Sequence, residues 1–200
     1  VSEDELIVYD LSNPTIGKKK ISLEYKLHSL VYKSRPEIKS VVHAHPPLAI
    51  ACSIAGVSLA QCMLPEVIIT LGKIPTSKYA TPTTDEVPES VRDFVKDYNA
   101  IILERHGSLT MGKSIMEAYN NLEKMEHTAQ VVITARLLGG AKPLPKSDVY
   151  KLLNMGKNFG LIKEHISCND CGACNRKTAT VIENDENEII EKIVREVINR

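Results

Sequence analysis

Val41-Val42-His43-Ala44-His45-Pro46-Pro47 decides how the rest of the chain is read. Val41 and Val42 read as the end of a buried strand. Successive side chains on a strand alternate faces, so residues i and i+2 share one face. His43 and His45 therefore point the same way, about 6–7 Å apart at the backbone. From there two imidazole nitrogens can converge on one metal ion at about 2.0–2.1 Å each. Pro46 and Pro47 end the strand, since proline cannot donate to a sheet ladder. Proline also suits the first turn of a helix, and Leu48 to Ala55 reads as a short one closed by Gly56. The pair thus stands at the carboxyl end of a strand where a helix begins, a favoured place for a site in α/β architectures. A histidine pair two apart is also common as plain polar lining at a sheet edge, so the rest of the chain must decide.

The third imidazole comes from Glu104-Arg105-His106-Gly107, directly after the apolar strand Ala100 to Leu103. Gly107 lets the backbone turn sharply and lets another group come close. Three neutral imidazoles with an open position describe a catalytic zinc site rather than a structural one. The competing reading of His106 is an ordinary loop histidine.

Outward from these motifs the pattern is mixed. Leu6 to Tyr9 reads as a short strand. Leu23, Leu27, Leu30 and Val31 form an amphipathic helical stripe with Ser22 as N-cap and Glu24 in the first turn, where a carboxylate complements the helix dipole. Pro36 ends that helix, and Ile38 to His43 is the strand of the histidine pair. Val67 to Thr70 is a β-branched run that predicts another buried strand. Helices are expected over 86–98, 114–138, 149–159 and 189–198, with Ser108 to Met111 as a last short strand. His28 and His127 fall within helices and read as structural or surface groups. The order fits a three-layer α/β/α sandwich around a central mixed, largely antiparallel sheet.

The 200 residues suffice for one well-cored domain. Residues 1–160 carry all the motifs above, and 161–200 read as an extension with a cysteine cluster and a terminal helix. The 25 basic and 25 acidic side chains cancel, which argues against a nucleic-acid partner. No apolar run is long enough for a bilayer, and no signal peptide is visible. Five cysteines without an even-numbered pattern predict a reducing, cytoplasmic setting. Cys168, Cys171 and Cys174 have the spacing of zinc or iron–sulfur ligands, with His165 as a candidate fourth ligand for zinc. Cys52 and Cys62 read as small buried hydrophobes.

Ser22-Leu23-Glu24-Tyr25-Lys26-Leu27-His28, His43-Ala44-His45-Pro46 and Arg105-His106-Gly107, in this order and spacing, resemble the class II aldolase/adducin family over roughly residues 5 to 160. The resemblance implies that His43, His45 and His106 bind a divalent metal, usually zinc. It implies that Glu24 is the acid–base group, against the plainer reading of a helix-dipole carboxylate. It implies a homo-oligomer, a tetramer, in which neighbouring subunits complete each pocket. The expected activity is that of a carbon–carbon lyase: a zinc-dependent aldolase cleaving a small phosphorylated ketose, of the L-fuculose 1-phosphate type, through a metal-stabilised enediolate. Dehydratases of methylthioribulose 1-phosphate and sugar-phosphate 4-epimerases of the family share the metal trio. The epimerases carry Asp where Glu24 stands. Adducin-like scaffolds lose the ligand histidines, which this chain keeps.

Three departures bear on the substrate. The family's glycine-rich phosphate-binding segment, expected upstream of the first strand, is absent, so residues before Val1 are expected to be missing. Leu23 replaces the second serine of the family's S-S-E block, which leaves Ser22 as its candidate phosphate contact. Leu64-Pro65-Glu66 stands where some aldolases place a tyrosine.

Overall fold

The computed structural model describes residues 6–10 and 21–167. At its centre a hairpin joins β2 (Ala100–Leu103) to β3 (Gly107–Gly112), and β1 (Ser40–Ala44) pairs antiparallel with the other edge of β3. The order is β1-β3-β2. An isolated parallel bridge joins Thr76 to Ile102 on β2, with Ser77 N–H donating to the Ile102 carbonyl at 2.8 Å.

The register sorts side chains by face. His43 lies opposite Leu109, and Leu109 opposite Ile101, so these three share a face with Val41, Met111 and Leu103. That face packs on α1 (Tyr25–Ser34) and α4 (Glu86–Val95) through Leu27, Leu30, Val31, Val87, Val91 and Val95. Ala100 and Ile102 point the other way, onto α2 (Pro47–Ile54) and the long α5 (Ile115–Leu137), where Ala49, Cys52, Met125, Ala129 and Val132 are buried. Helices on both faces of a small sheet give the expected three layers. Ser114 caps α5 by accepting the Glu117 N–H. α3 (Pro65–Leu71) and α6 (Lys146–Asn158) pack together at one side, and the chain remains in the core as far as Ile166. Among the described residues no helix is long and apolar enough to cross a membrane.

Two expected strands do not form. The run Val67 to Thr70 lies in α3 instead. Pro65 sits in the first turn with its φ already helical, Glu66 follows, and Thr70 donates its hydroxyl to the Glu66 carbonyl. Val67, Ile68 and Leu71 then fall on one buried helical stripe. The β preference of branched residues is worth about 1 kcal/mol at most and yields to such packing. Leu6 to Tyr9 forms no strand: Leu6 and Val8 are exposed, without the half-buried alternation a strand needs. α1 starts at Tyr25, later than expected. Glu24 takes the N-cap place, and Ser22 accepts the Glu24 N–H on its hydroxyl at 3.3 Å. The helix expected over 189–198 and Cys168, Cys171 and Cys174 lie outside the described residues. His165 turns its Nε2 to Asp97 at 3.1 Å.

Candidate metal centre

Three backbone devices bring the histidines together. β1 ends at Ala44 and delivers His43 at its edge, and His45 follows before Pro47 opens α2. The β2–β3 turn, Glu104-Arg105-His106, lies beside that edge because β3 is the neighbour of β1. The three ring centroids stand 5.1, 5.1 and 5.2 Å apart. One ring nitrogen from each falls within 4.8 Å of the others, close enough for a single ion.

The protonation pattern suits ligation. His43 Nδ1 is 2.8 Å from the Ser108 carbonyl, which can only accept, so Nδ1 carries a hydrogen and, in the neutral ring, Nε2 carries the lone pair. That Nε2 is buried without a hydrogen-bond partner. A buried polar atom left unpaired costs about 1–3 kcal/mol, and in native proteins such an atom commonly awaits an ion or water. An imidazole whose other nitrogen donates to a carbonyl is the arrangement found around bound metals. Burial, then repulsion from His43 and His45, holds His106 below the usual histidine range against the opposing pull of Glu24, so His106 favours the neutral, ligating form.

Gly107 completes the cradle. A Cβ there would stand 2.5 Å from the Ala44 carbonyl oxygen, 2.7 Å from His45 Cδ2 and 3.3 Å from His43 Cε1. Only glycine lets β3 start this close to both rings. The donor set, the unpaired Nε2 and this close approach fit a divalent cation.

Glu24, at the start of α1, comes to the same place from the opposite layer. Its Oε1 is 4.0 Å from His106 Nε2, and its side chain is 24% exposed. It also lines a cavity of about 470 Å³ with Ser22, His28 and three tyrosines, Tyr9, Tyr25 and Tyr32. Ser22 is exposed at its mouth. His28 reads from sequence as a structural or surface helix residue, yet α1 turns it toward the centre. Burial first, and the charge of His43 second, lower its pKa. Its spacing of four from Glu24, one helical turn, was the available signal.

Residues 1–133 match the class II aldolase and adducin N-terminal domain. The chain belongs to this family. Among its relatives, a 3-oxo-tetronate 4-phosphate decarboxylase of Pectobacterium atrosepticum is 29% identical over 143 residues, covering 70% of this chain and 64% of that protein. An L-fuculose phosphate aldolase of Methanococcus maripaludis is 33% identical over 131 residues, covering 66% and 71%. Two decarboxylase relatives from Escherichia coli are spanned over only 55% of their length. Among solved structures, YgbL from Klebsiella pneumoniae, described as a putative aldolase/epimerase/decarboxylase, superposes with a TM-score of 0.64 at 30% identity, covering 72% of this chain and 71% of that one. An L-fuculose 1-phosphate aldolase superposes with a TM-score of 0.70 over 78% and 74% at 23% identity, a likeness of fold. The class II aldolase fold is therefore shown for this chain, with its three histidines gathered at one end of β1 and β3.

Proposed function

We propose that the chain is a zinc-dependent lyase that breaks a carbon–carbon bond in a small phosphorylated sugar or sugar acid, with His43, His45 and His106 as ligands and Glu24 as the proton-transfer group. The observation that carries the reading is the buried, unpaired Nε2 of His43, held toward the other two imidazoles by the Ser108 carbonyl. Three imidazoles are the donor set of catalytic zinc sites. A cation there supplies Lewis-acid stabilisation of negative charge developing on substrate oxygens.

The relatives' two names point to one intermediate. Retro-aldol cleavage of a ketose 1-phosphate breaks the bond between C3 and C4 and leaves the electron pair at C3, beside the C2 carbonyl. Loss of CO2 from a 3-oxo-tetronate 4-phosphate breaks the bond between C1 and C2 and leaves the pair at C2, beside the C3 carbonyl. Either way the product is dihydroxyacetone phosphate once that carbon is protonated. The aldol route also needs a base for the C4 hydroxyl proton. On this reading Glu24 makes both transfers: it takes the hydroxyl proton as carboxylate and returns a proton to carbon as the acid. What supports the role is its nearness to the three imidazoles, with Oε1 4.0 Å from His106 Nε2.

The same reading carries a cytoplasmic homotetramer, supported by family resemblance and by the exposed Ile115, Met116 and Tyr119 at the start of α5. A monomer by light scattering at micromolar concentration contradicts the assembly. The activity is tested by incubating the zinc-loaded chain with phosphorylated ketoses and 3-oxo sugar acid phosphates. Dihydroxyacetone phosphate is assayed together with the co-product, an aldehyde for the aldolase and CO2 for the decarboxylase. Release of neither overturns the proposal.

A further inference from the structure

α2 touches both ligand-bearing segments without contributing a ligand. At its start, Glu126 of α5 accepts two backbone bonds, from Leu48 N–H on Oε1 and from Ala49 N–H on Oε2, both at 2.9 Å. These amides lie three and four residues past His45, in the turn that Pro46 and Pro47 open. Near the other end of α2, the buried Ser53 hydroxyl donates to the Ile50 carbonyl at 2.7 Å and accepts the Arg105 N–H at 2.9 Å. Both capacities of that hydroxyl are thus used within the fold.

The amide it accepts is no ordinary one. Arg105 has φ 58°, a left-handed conformation that residues other than glycine seldom adopt. It is the middle residue of the turn Glu104-Arg105-His106, which the Leu103–Gly107 pair closes, with His106 N–H donating to the Leu103 carbonyl at 3.0 Å. The backbone torsion of Arg105 therefore sets where His106 begins. If Arg105 relaxed out of this region, His106 would leave the other two rings. Such backbone conformations persist where the surroundings over-determine them, and they gather at functional sites.

We propose that Ser53 is a positioning residue for the three-histidine centre. It holds Arg105 left-handed and so fixes His106 against His43 and His45, while Glu126 anchors the other end of α2 behind His45. This rests on the metal-binding reading above.

The test is the zinc affinity of the full chain, measured by competition with a chromophoric chelator, beside the thermal midpoint of the metal-free chain. Ser53→Ala is expected to weaken zinc binding about 10–100-fold, as removal of a group that orients a ligand does. Adding Arg105→Gly to Ser53→Ala is expected to recover most of that loss, because glycine adopts the left-handed conformation freely. A merely structural hydroxyl would lower the thermal midpoint and gain nothing in zinc affinity from glycine at 105. Should Ser53→Ala not fold, Ser53→Cys keeps the volume with a weaker acceptor and takes its place in both arms. Zinc affinity within about twofold of wild type, or a loss that Arg105→Gly leaves untouched, overturns the role of Ser53 while the metal reading stands. A wild-type chain that binds no zinc overturns both.

Discussion

β3 begins and ends on glycine, and each glycine is crowded for a different reason. At Gly112 a Cβ would stand 2.7 Å from Glu117 Cβ and 2.8 Å from the Ala118 nitrogen. That crowd is the first turn of α5, and its polar groups find partners: Lys113 N–H donates to Glu117 at 2.8 Å, and Glu117 N–H to Ser114 at 3.2 Å. Ser114 caps the helix while Glu117 reaches back to the amide just before the cap, and the two bonds join strand to helix. At Gly107 the crowd is two imidazole rings and the carbonyl that precedes one of them. There His43 Nε2 stays unpaired. Equal steric demand thus marks a joint where the polar groups are paired and a site where one is not.

The sharpest way to break this comparison is to add one methyl at each end. Gly107→Ala must push back the Ala44 carbonyl or the His45 ring, and it is expected to abolish zinc binding and activity. Gly112→Ala is expected to cost about 1–3 kcal/mol of stability through overpacking while leaving the zinc affinity of the folded fraction unchanged. Chelator competition and thermal melts on both variants decide. A Gly107→Ala chain that binds zinc like wild type removes the distinction between the two ends. His43→Ala is the companion control, expected to lose about one equivalent of metal, since three-ligand sites tolerate loss poorly.

A second test separates proton transfer from ligation at the site end. Glu24→Gln keeps the shape and removes the acid–base group. It is expected to retain zinc and to turn over about 10²–10⁴ times more slowly. Metal analysis beside steady-state kinetics, on whichever phosphorylated substrate the wild type cleaves, gives the answer. Activity within about tenfold of wild type would move the base elsewhere.

The contrast between the two ends also shows what could be read in the chain beforehand. The histidine pair, the strand–turn placement of His106 and the close approach at Gly107 were legible, because alternation along a strand and the size of glycine are local properties. The two missing strands were not. Val67 to Thr70 has the composition of a strand, and only the packing of Val67, Ile68 and Leu71 on the core makes it a helix. The Ser108 carbonyl that fixes the His43 tautomer, the Ser53 bond to Arg105 and the turning of His28 toward His43 depend on contacts between residues 15 to 65 positions apart. No spacing rule within one segment encodes such contacts.

The smallest expected effect concerns His28 and asks how far the site end reaches into α1. Burial, with His43 adding to it and Glu24 opposing, lowers its pKa from an ordinary value of 6.5. Well above pH 6.5 the side chain is neutral in the folded and the unfolded chain, and it contributes nothing to the pH dependence. Below that value the unfolded chain protonates His28 first, so the unfolded state binds more protons than the folded one. Stability then rises with pH across this window and is lost as the pH falls through it. Urea midpoints of the metal-free chain at pH 7.5 and 5.5 should therefore fall further in wild type than in His28→Gln. The metal must be absent, because protons competing for its ligands add a pH dependence of their own. His106, lowered for the same reason, leaves a residual slope of the same sign in the variant. Equal losses in the two chains would mean that the low-dielectric surroundings of His43 stop at the sheet and that α1 contributes only Glu24 to the centre.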